Sequence, residues 1–285
     1  MRAKPIYADL WKTLLTVTLA DGIWPLLDQP AKRGEMTKRV WRILAAENIR
    51  RRHWYFSHDG KTGRCFNNVA NFPRELRQFL LLGGHPTAEC DIANSQPLFL
   101  ANLAYGLTPS EERLRYANLV RSGRFYETLG QWAGLGGLDR EKLKKRVYSG
   151  ILFGRDHHRS VLWDALKPHF PQLLAYIDES KREAHNGLAL KLQSKEAEVM
   201  LGRIIPRLKA EGIRALSIHD GCLCRAADAS WAKLVMEEEV EAAIGIKPTV
   251  KIKVPEPALP LCTLPPVCQL NLTNGFGGQP AVQWQ

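Results

Sequence analysis

The sequence predicts an α+β fold in which short strands pack with helices, and three observations predict it. Two short segments rich in small and β-branched residues, 87–92 and 215–224, lie far apart in the chain. Between them, from Gln96 to about Ala210, the pattern is mostly helical. Hydrophobic content of 45% and charged content of 24% sit at globular averages, which excludes a disordered chain, a collagen-like repeat or a coiled-coil rod.

Taken in order, residues 1–56 read as a helical N-terminal segment, with Leu10, Leu14 and Val17 and then Val40, Ile43 and Leu44 at three-to-four spacing. It ends in Arg50-Arg51-Arg52-His53. That run either complements a helix C-terminal dipole or contacts phosphate, with Trp54, Tyr55 and Phe56 as stacking faces. The turn-rich stretch 57–64 carries Asp59-Gly60, a hairpin signal. Residues 73–82 read as a helix with Arg74 and Arg77 one turn apart. Gly83-Gly84 stops it, and 87–92 is a strand ending at Asp91. The long helical region breaks at Gly134, Gly136 and Gly137 and turns at Asn186-Gly187. A strand pair over 215–224 is interrupted by a tight turn, His219-Asp220-Gly221, and a helix over 230–244 and a strand over 249–254 close the folded part. Residues 255–285, rich in Pro and Gly, read as a flexible tail with no packed core.

Forty Lys and Arg against 29 Asp and Glu give a formal charge of +11, and the pI is about 9.5, so a polyanionic partner is expected. No run reaches the roughly 18 apolar residues of a membrane helix; the best, 10–27, is broken by Lys12, Asp21, Gly22 and Pro25. No secretory signal pattern is present, and no membrane role is expected. The six cysteines form no C-x-x-C pair and read as reduced thiols of a cytoplasmic protein, in a bacterial or phage-infected cell. A zinc site from Cys222, Cys224, Cys262 and Cys268 is conceivable by count, but the spacings fit no ribbon or finger.

Two carboxylates stand at strand ends, Asp91 and Asp220. Strand ends lying side by side could hold two divalent cations roughly 3.5–4 Å apart, the arrangement that stabilises attacking and leaving oxygens in phosphoryl transfer. Carboxylate oxygens are the ligands Mg²⁺ prefers. The competing reading of His-Asp-Gly is a turn whose Asp is satisfied by backbone N–H groups. On a straight helix, Lys145, Ser149 and Phe153 fall at i, i+4 and i+8, so one face presents a cation, a small residue and an aromatic. Such a face can hold a triphosphate and stack a base; an ordinary basic amphipathic helix would read the same way.

The order of these segments resembles the polymerase domain of the family A DNA polymerases and the related single-subunit phage-type RNA polymerases. Thr62-Gly63-Arg64, then Asn67, Asn68 and Arg74-x-x-Arg77-x-Phe79, is similar to the T-G-R segment and the basic segment after it. Asp91-Ile92-Ala93-Asn94-Ser95-Gln96 resembles motif A, Lys145 with Phe153-Gly154 resembles motif B, and Ser217-Ile218-His219-Asp220 resembles motif C. Gln193-Ser194-Lys195-Glu196 resembles the helix before motif C. The resemblance covers about residues 61–254.

It implies a polymerase palm, a small antiparallel sheet packed with helices, over 57–254, with a reduced helical fingers insertion over about 97–190 and the N-terminal segment as a reduced thumb. It implies Asp91 and Asp220 as the acids binding two Mg²⁺ or Mn²⁺ ions, with His219 positioning the primer terminus. Lys145, Ser149, Phe153, Gln96 and Arg140 would serve the nucleoside triphosphate. Arg64, Arg74, Arg77 and Gln193 would line a DNA primer–template, with Arg50, Arg51 and Arg52 as a clamp. The activity implied is that of a DNA-directed DNA polymerase of a phage, plasmid or mobile element, in replication or repair, helped by a processivity or replication partner. Several positions depart from the pattern: Gly221 stands where the DNA enzymes carry an acid, Gln96 where they carry Glu, and Glu141 where motif B has Arg, leaving Arg140 or Lys142 to replace it. Gln96 would crowd a ribose 2′-hydroxyl and argues for deoxynucleotides. A primase or RNA polymerase of the same fold, a non-catalytic nucleic-acid-binding palm protein, and a metal-dependent nuclease remain the alternatives.

Overall fold

The computed structural model of the chain describes residues 5–29 and 35–254. The expected tail at 255–285, with Cys262 and Cys268, lies outside the described residues. The chain begins with α1 (Pro5–Leu14), β1 (Val17–Leu19), α2 (Ile23–Leu27) and α3 (Met36–Arg50). The segment expected to be helical therefore also supplies a strand, and β1 pairs antiparallel with a later strand of the main sheet. Leu10 and Leu14 bury one face of α1 in the common core, and the same helix packs on the last hairpin.

Next come β2 (Phe56–His58) and β3 (Cys65–Asn67), the hairpin that Asp59-Gly60 signals, with Phe56 opposite Asn67. Its loop is built by Asp59, whose carboxylate accepts from the Lys61 and Thr62 amides at 3.0 Å each and from the Thr62 hydroxyl at 2.6 Å. The stretch 73–82 divides where one helix was expected. Arg74–Phe79 is a 3₁₀ turn, and Leu80–Leu82 extends as β4. The reason is the turn behind it: Gly83 and Gly84 take φ of 60° and 81°, a two-residue hairpin that demands strand on both sides. β5 (His85–Ile92) follows.

The long helical region is a series of short helices: α4 (Ser95–Tyr105), α5 (Glu111–Arg121), α6 (Phe125–Trp132), α7 (Arg140–Val147), α8 (Val161–Leu166), α9 (Pro171–Lys181), α10 (Gly187–Val199) and α11 (Ile205–Ala210). Side-chain caps start several of them: Ser110 accepts from the Arg113 amide, Asp139 from Lys142 and Ser160 from Leu162. Two π-turns, Tyr148–Leu152 after α7 and Met200–Ile204 between α10 and α11, interrupt the regular period. β6 (Ala215–Ile218), β7 (Gly221–Arg225), α12 (Ala229–Ile244) and β8 (Val250–Lys253) complete the described chain.

The six-stranded sheet runs β1-β4-β5-β7-β6, with β8 also on β5, and every pairing is antiparallel. Its central strand decides the site. On β5, Ala88, Cys90 and Ile92 are buried, and the Cys90 thiol donates to the Ala229 carbonyl of α12 at 3.5 Å. Strand alternation therefore turns Glu89 and Asp91 to the opposite, open face. A one-residue slip would exchange the two sets, so burial under α12 is what fixes Asp91 outward.

Candidate active site

Asp91 lies opposite Gly221 on β7 and Lys251 on β8, and Asp220 sits in the two-residue turn between β6 and β7. The turn abuts the end of β5, since the Ile92 amide donates to the Asp220 carbonyl at 3.3 Å. The approach of β5 and β7 explains Gly221: a Cβ there would lie 2.4 Å from the Cys90 carbonyl oxygen. No side chain, acidic or otherwise, fits that position. The backbone is also held in the left-handed region on both sides of the pair, with φ of 54° at Asn94 and 53° at His219. Such conformations cost on the order of 1–3 kcal/mol each and persist where surrounding structure enforces them.

The two carboxylates have different surroundings. Asp220 accepts from the Ser95 hydroxyl at 2.5 Å. Burial, and then the charge of Asp91, raise its carboxyl above the usual range, with the Ser95 hydrogen bond opposing the shift. Asp91 is more open and accepts from Lys253 Nζ at 2.6 Å. Below them Glu196 of α10 is buried; it receives the Arg64 guanidinium and the Gln96 amide, the latter at 2.6 Å. Its carboxyl is pushed up to about 7, first by burial and then by Asp220, against the pull of Arg64. Asp220 thus stands in repulsion with Asp91 on one side and Glu196 on the other, a field that favours added cations.

A cleft of about 220 Å³ opens over the pair, lined by Arg74, Arg77, Asp91, Lys144, His219, Asp220 and Lys253 among others. His219 packs edge-on against Phe66 with centroids 6.0 Å apart; burial, then Arg64 and Arg77, lower its pKa and so favour the uncharged imidazole. Around the acids, Arg64 Nε, Gln96 Oε1 and His219 Nδ1 are buried without a hydrogen-bond partner. Such orphans are rare in a closed fold and suit a surface that completes its bonding with a ligand.

The residues singled out in the sequence separate into groups. Asp91, Asp220, His219, Arg74 and Arg77 meet in the cleft, although Arg77 spends its guanidinium on Glu89 and on the carbonyls of Phe72 and Ala70. Gln96 and Arg64 join through Glu196, and Gln193 lies half-buried one turn before Glu196 on α10. Arg140 grips both oxygens of Glu127, lies over Tyr126 at 5.1 Å and donates to Asn94 Oδ1 at 3.2 Å. It lines a second cleft, of about 400 Å³, with Asn94, Arg121 and Lys251. Arg50, Arg51 and Arg52 are exposed at the end of α3 and line neither cleft; Arg50 and Arg51 both pair with Glu47.

The single face of Lys145, Ser149 and Phe153 does not form as a straight helix would make it. Within the π-turn the Phe153 amide bonds to the Tyr148 carbonyl, so Phe153 meets Tyr148, with ring centroids 5.1 Å apart. Lys144 Nζ lies 5.8 Å from the same ring. The row is therefore Lys144–Tyr148–Phe153, while Lys145 and Ser149 are exposed and outside the cleft lining. Tyr148 faces the acids: burial, then Tyr126, Asp220 and Glu196, raise its hydroxyl pKa.

Sequence reasoning missed Lys144, Tyr148, Glu196, Lys251 and Lys253. The lysines of β8 were readable, because Lys251 and Lys253 alternate on a strand and therefore share a face. Tyr148 was not, since no local signal marks the π-turn.

No protein-family profile and no curated protein matches the chain. Among solved structures, the polymerase domain of Pol1 from M. smegmatis, in complex with DNA primer-template and dNTP, matches with a TM-score of 0.56 at 13% identity. The match covers 76% of this chain and 51% of that one, so this chain spans about half the length of the structure it matches. The likeness is one of fold: a small antiparallel palm sheet packed with helices, of the kind found in a polymerase domain.

Proposed function

We propose that the protein is a template-dependent nucleotidyltransferase, a minimal family-A-like DNA polymerase that extends a primer 3′-hydroxyl. The observation that carries this reading is the pair Asp91 and Asp220 on adjoining strand ends, mutually repelling and ringed by unpartnered polar atoms. The donor set suits Mg²⁺ or Mn²⁺, because carboxylate oxygens are what these ions take and because Asp220 is buried beside the charge of Asp91 with a hydroxyl, not a cation, as its side-chain partner. Asp91 and Asp220 would hold two such ions, which when bound lower the pKa of the attacking hydroxyl and neutralise charge on the leaving phosphates.

The chain's own groups would do the rest. Lys144, with Lys145 and Arg140 nearby on α7, would hold the triphosphate. Tyr148 and Phe153 would face the nascent base pair, and His219 would position the primer terminus. Gln96, tethered by Glu196, would occupy the space beside the sugar C2′ and favour deoxynucleotides. Arg64, Arg74, Arg77 and Gln193 would follow the primer–template, with Arg50, Arg51 and Arg52 as an outlying clamp. The 3′-oxygen attacks the α-phosphorus, the bond to the bridging oxygen breaks, and pyrophosphate leaves.

The test is extension of a labelled primer on DNA and RNA templates with Mg²⁺ or Mn²⁺, supplied with dNTPs or rNTPs. Wild-type protein is expected to lengthen the primer with dNTPs, and Asp220→Asn to slow this by about a hundredfold or more. Equal incorporation by both proteins would refute the metal site. Exclusive use of rNTPs would overturn the deoxynucleotide assignment, and shortened primers would point to a nuclease.

A further inference from the structure

The helical insertion carries a second cluster of metal-ligand type, unrelated to the acid pair. His157 and His158 lie on a 3₁₀ turn, His157–Arg159, and Asp178 lies on α9. Both imidazoles aim Nε2 at one carboxylate oxygen, Asp178 Oδ1, at 2.7 Å from His157 and 3.1 Å from His158. One ligand atom from each residue lies within 4.8 Å of the others, and among the described residues this is the one group of three or more His, Cys, Asp or Glu so arranged. A tetrahedral zinc ion with bonds near 2.0–2.1 Å sets its ligand atoms about 3.3 Å apart, so a slight opening of the triangle admits it.

The hydrogen-bond arithmetic at His157 points the same way. Its Nδ1 faces the Arg155 carbonyl at 3.3 Å while its Nε2 faces Asp178. Both neighbours are acceptors; a neutral imidazole has one N–H for the two, and either a second proton or a metal ion at Nε2 satisfies the other. If Nδ1–H serves the Arg155 carbonyl, as outer partners of metal-bound histidines commonly do, the Nε2 lone pair meets a carboxylate lone pair. His158 Nε2 crowds the same oxygen. One cation between the three groups resolves these contacts together. The surroundings suit it as well: Trp163 packs edge-on against both rings at 4.8 Å, His157 is buried, and the exposed His158 and half-buried Asp178 leave a way in from solvent.

We propose that His157, His158 and Asp178 bind a Zn²⁺ ion, with water completing the tetrahedron. The ion would staple the turn that follows Phe153 to α9, two elements already joined by Lys181, whose Nζ donates to the Ile151 and Gly154 carbonyls at 2.5 and 2.9 Å. This site stands whether or not the chain polymerises nucleotides.

The test uses the full chain, stripped with chelator and titrated with Zn²⁺ alone and then with Co²⁺ as a spectroscopic stand-in. One equivalent of Zn²⁺ is expected to bind and to raise Tm by about 5 °C at saturating metal. Co²⁺ is expected to give the visible bands of a tetrahedral N/O site without the near-ultraviolet absorption of thiolate ligation. His158→Ala, at an exposed position, and Asp178→Asn should each weaken binding at least about tenfold, whereas the exposed His185→Ala should bind as wild type does. No bound Zn²⁺ and no shift in wild-type Tm would overturn the proposal. Equal affinity in wild type and His158→Ala, or a thiolate spectrum, would overturn it too.

Discussion

Glu196 is the residue on which the electrostatics of the site turn. Burial raises its carboxyl to about 7 from an ordinary value of 4.5. Its folded pKa lies above its unfolded one, so the native state holds more protons in the window between those values. Stability from this group is therefore greatest at the acid end and is lost as pH rises from about 4.5 to about 7, by on the order of 3 kcal/mol. Glu196→Gln should remove that slope: the stability difference between variant and wild type, measured by denaturant unfolding, should move in the variant's favour between pH 5 and 7.5. A difference that stays constant over that range would refute the shift. The neighbouring Gly221 is governed by contact rather than charge, since the Cys90 carbonyl leaves no room for a Cβ. A glycine at this position is a packing requirement of this sheet.

At the scale of elements, the helix that begins at Arg140 is instructive because its sequence reads cleanly and misleads. A constant 3.6-residue period puts Lys145, Ser149 and Phe153 in one row. The π-turn at Tyr148–Leu152 inserts an extra residue per turn, and the row becomes Lys144, Tyr148 and Phe153. In steady-state primer extension, Lys144→Ala is expected to raise the dNTP KM about tenfold, as loss of a charge-assisted phosphate contact should, and Lys145→Ala distinctly less. The opposite order would restore the straight-helix register. β8 teaches the converse lesson, for its alternating Lys251 and Lys253 were legible as one face, yet their place beside Asp91 depends on a pairing between residues far apart in the chain.

For the whole molecule, the charge of +11 predicts salt-sensitive binding to nucleic acid, and the structure distributes that charge unequally. Arg74 is exposed in the cleft, whereas Arg77 is bonded to Glu89 and two carbonyls, and Arg50 and Arg51 share Glu47. Arg74→Ala should therefore reduce the slope of log affinity for primer–template against log salt by about 1. Arg50→Ala and Arg51→Ala should change it less, and Arg77→Ala should act chiefly on stability. Equal slopes for wild type and Arg74→Ala would remove Arg74 from the DNA path. Much of the fold was legible, because hairpins at Asp59-Gly60 and His219-Asp220, the strand ending at Asp91 and the helix over 230–244 are each announced by local turn chemistry and periodicity. The sequence by itself determined the α+β class, the basic character and the two acids at strand ends, all properties of neighbouring residues. The tertiary structure alone decided that β1 joins the sheet, that Glu196 reaches Arg64 and Gln96, that Lys144 lines the cleft of the two acids, and that His157, His158 and Asp178 converge. Each of these depends on contacts across long stretches of chain or on a one-residue change of helical register, and a local pattern carries no record of either.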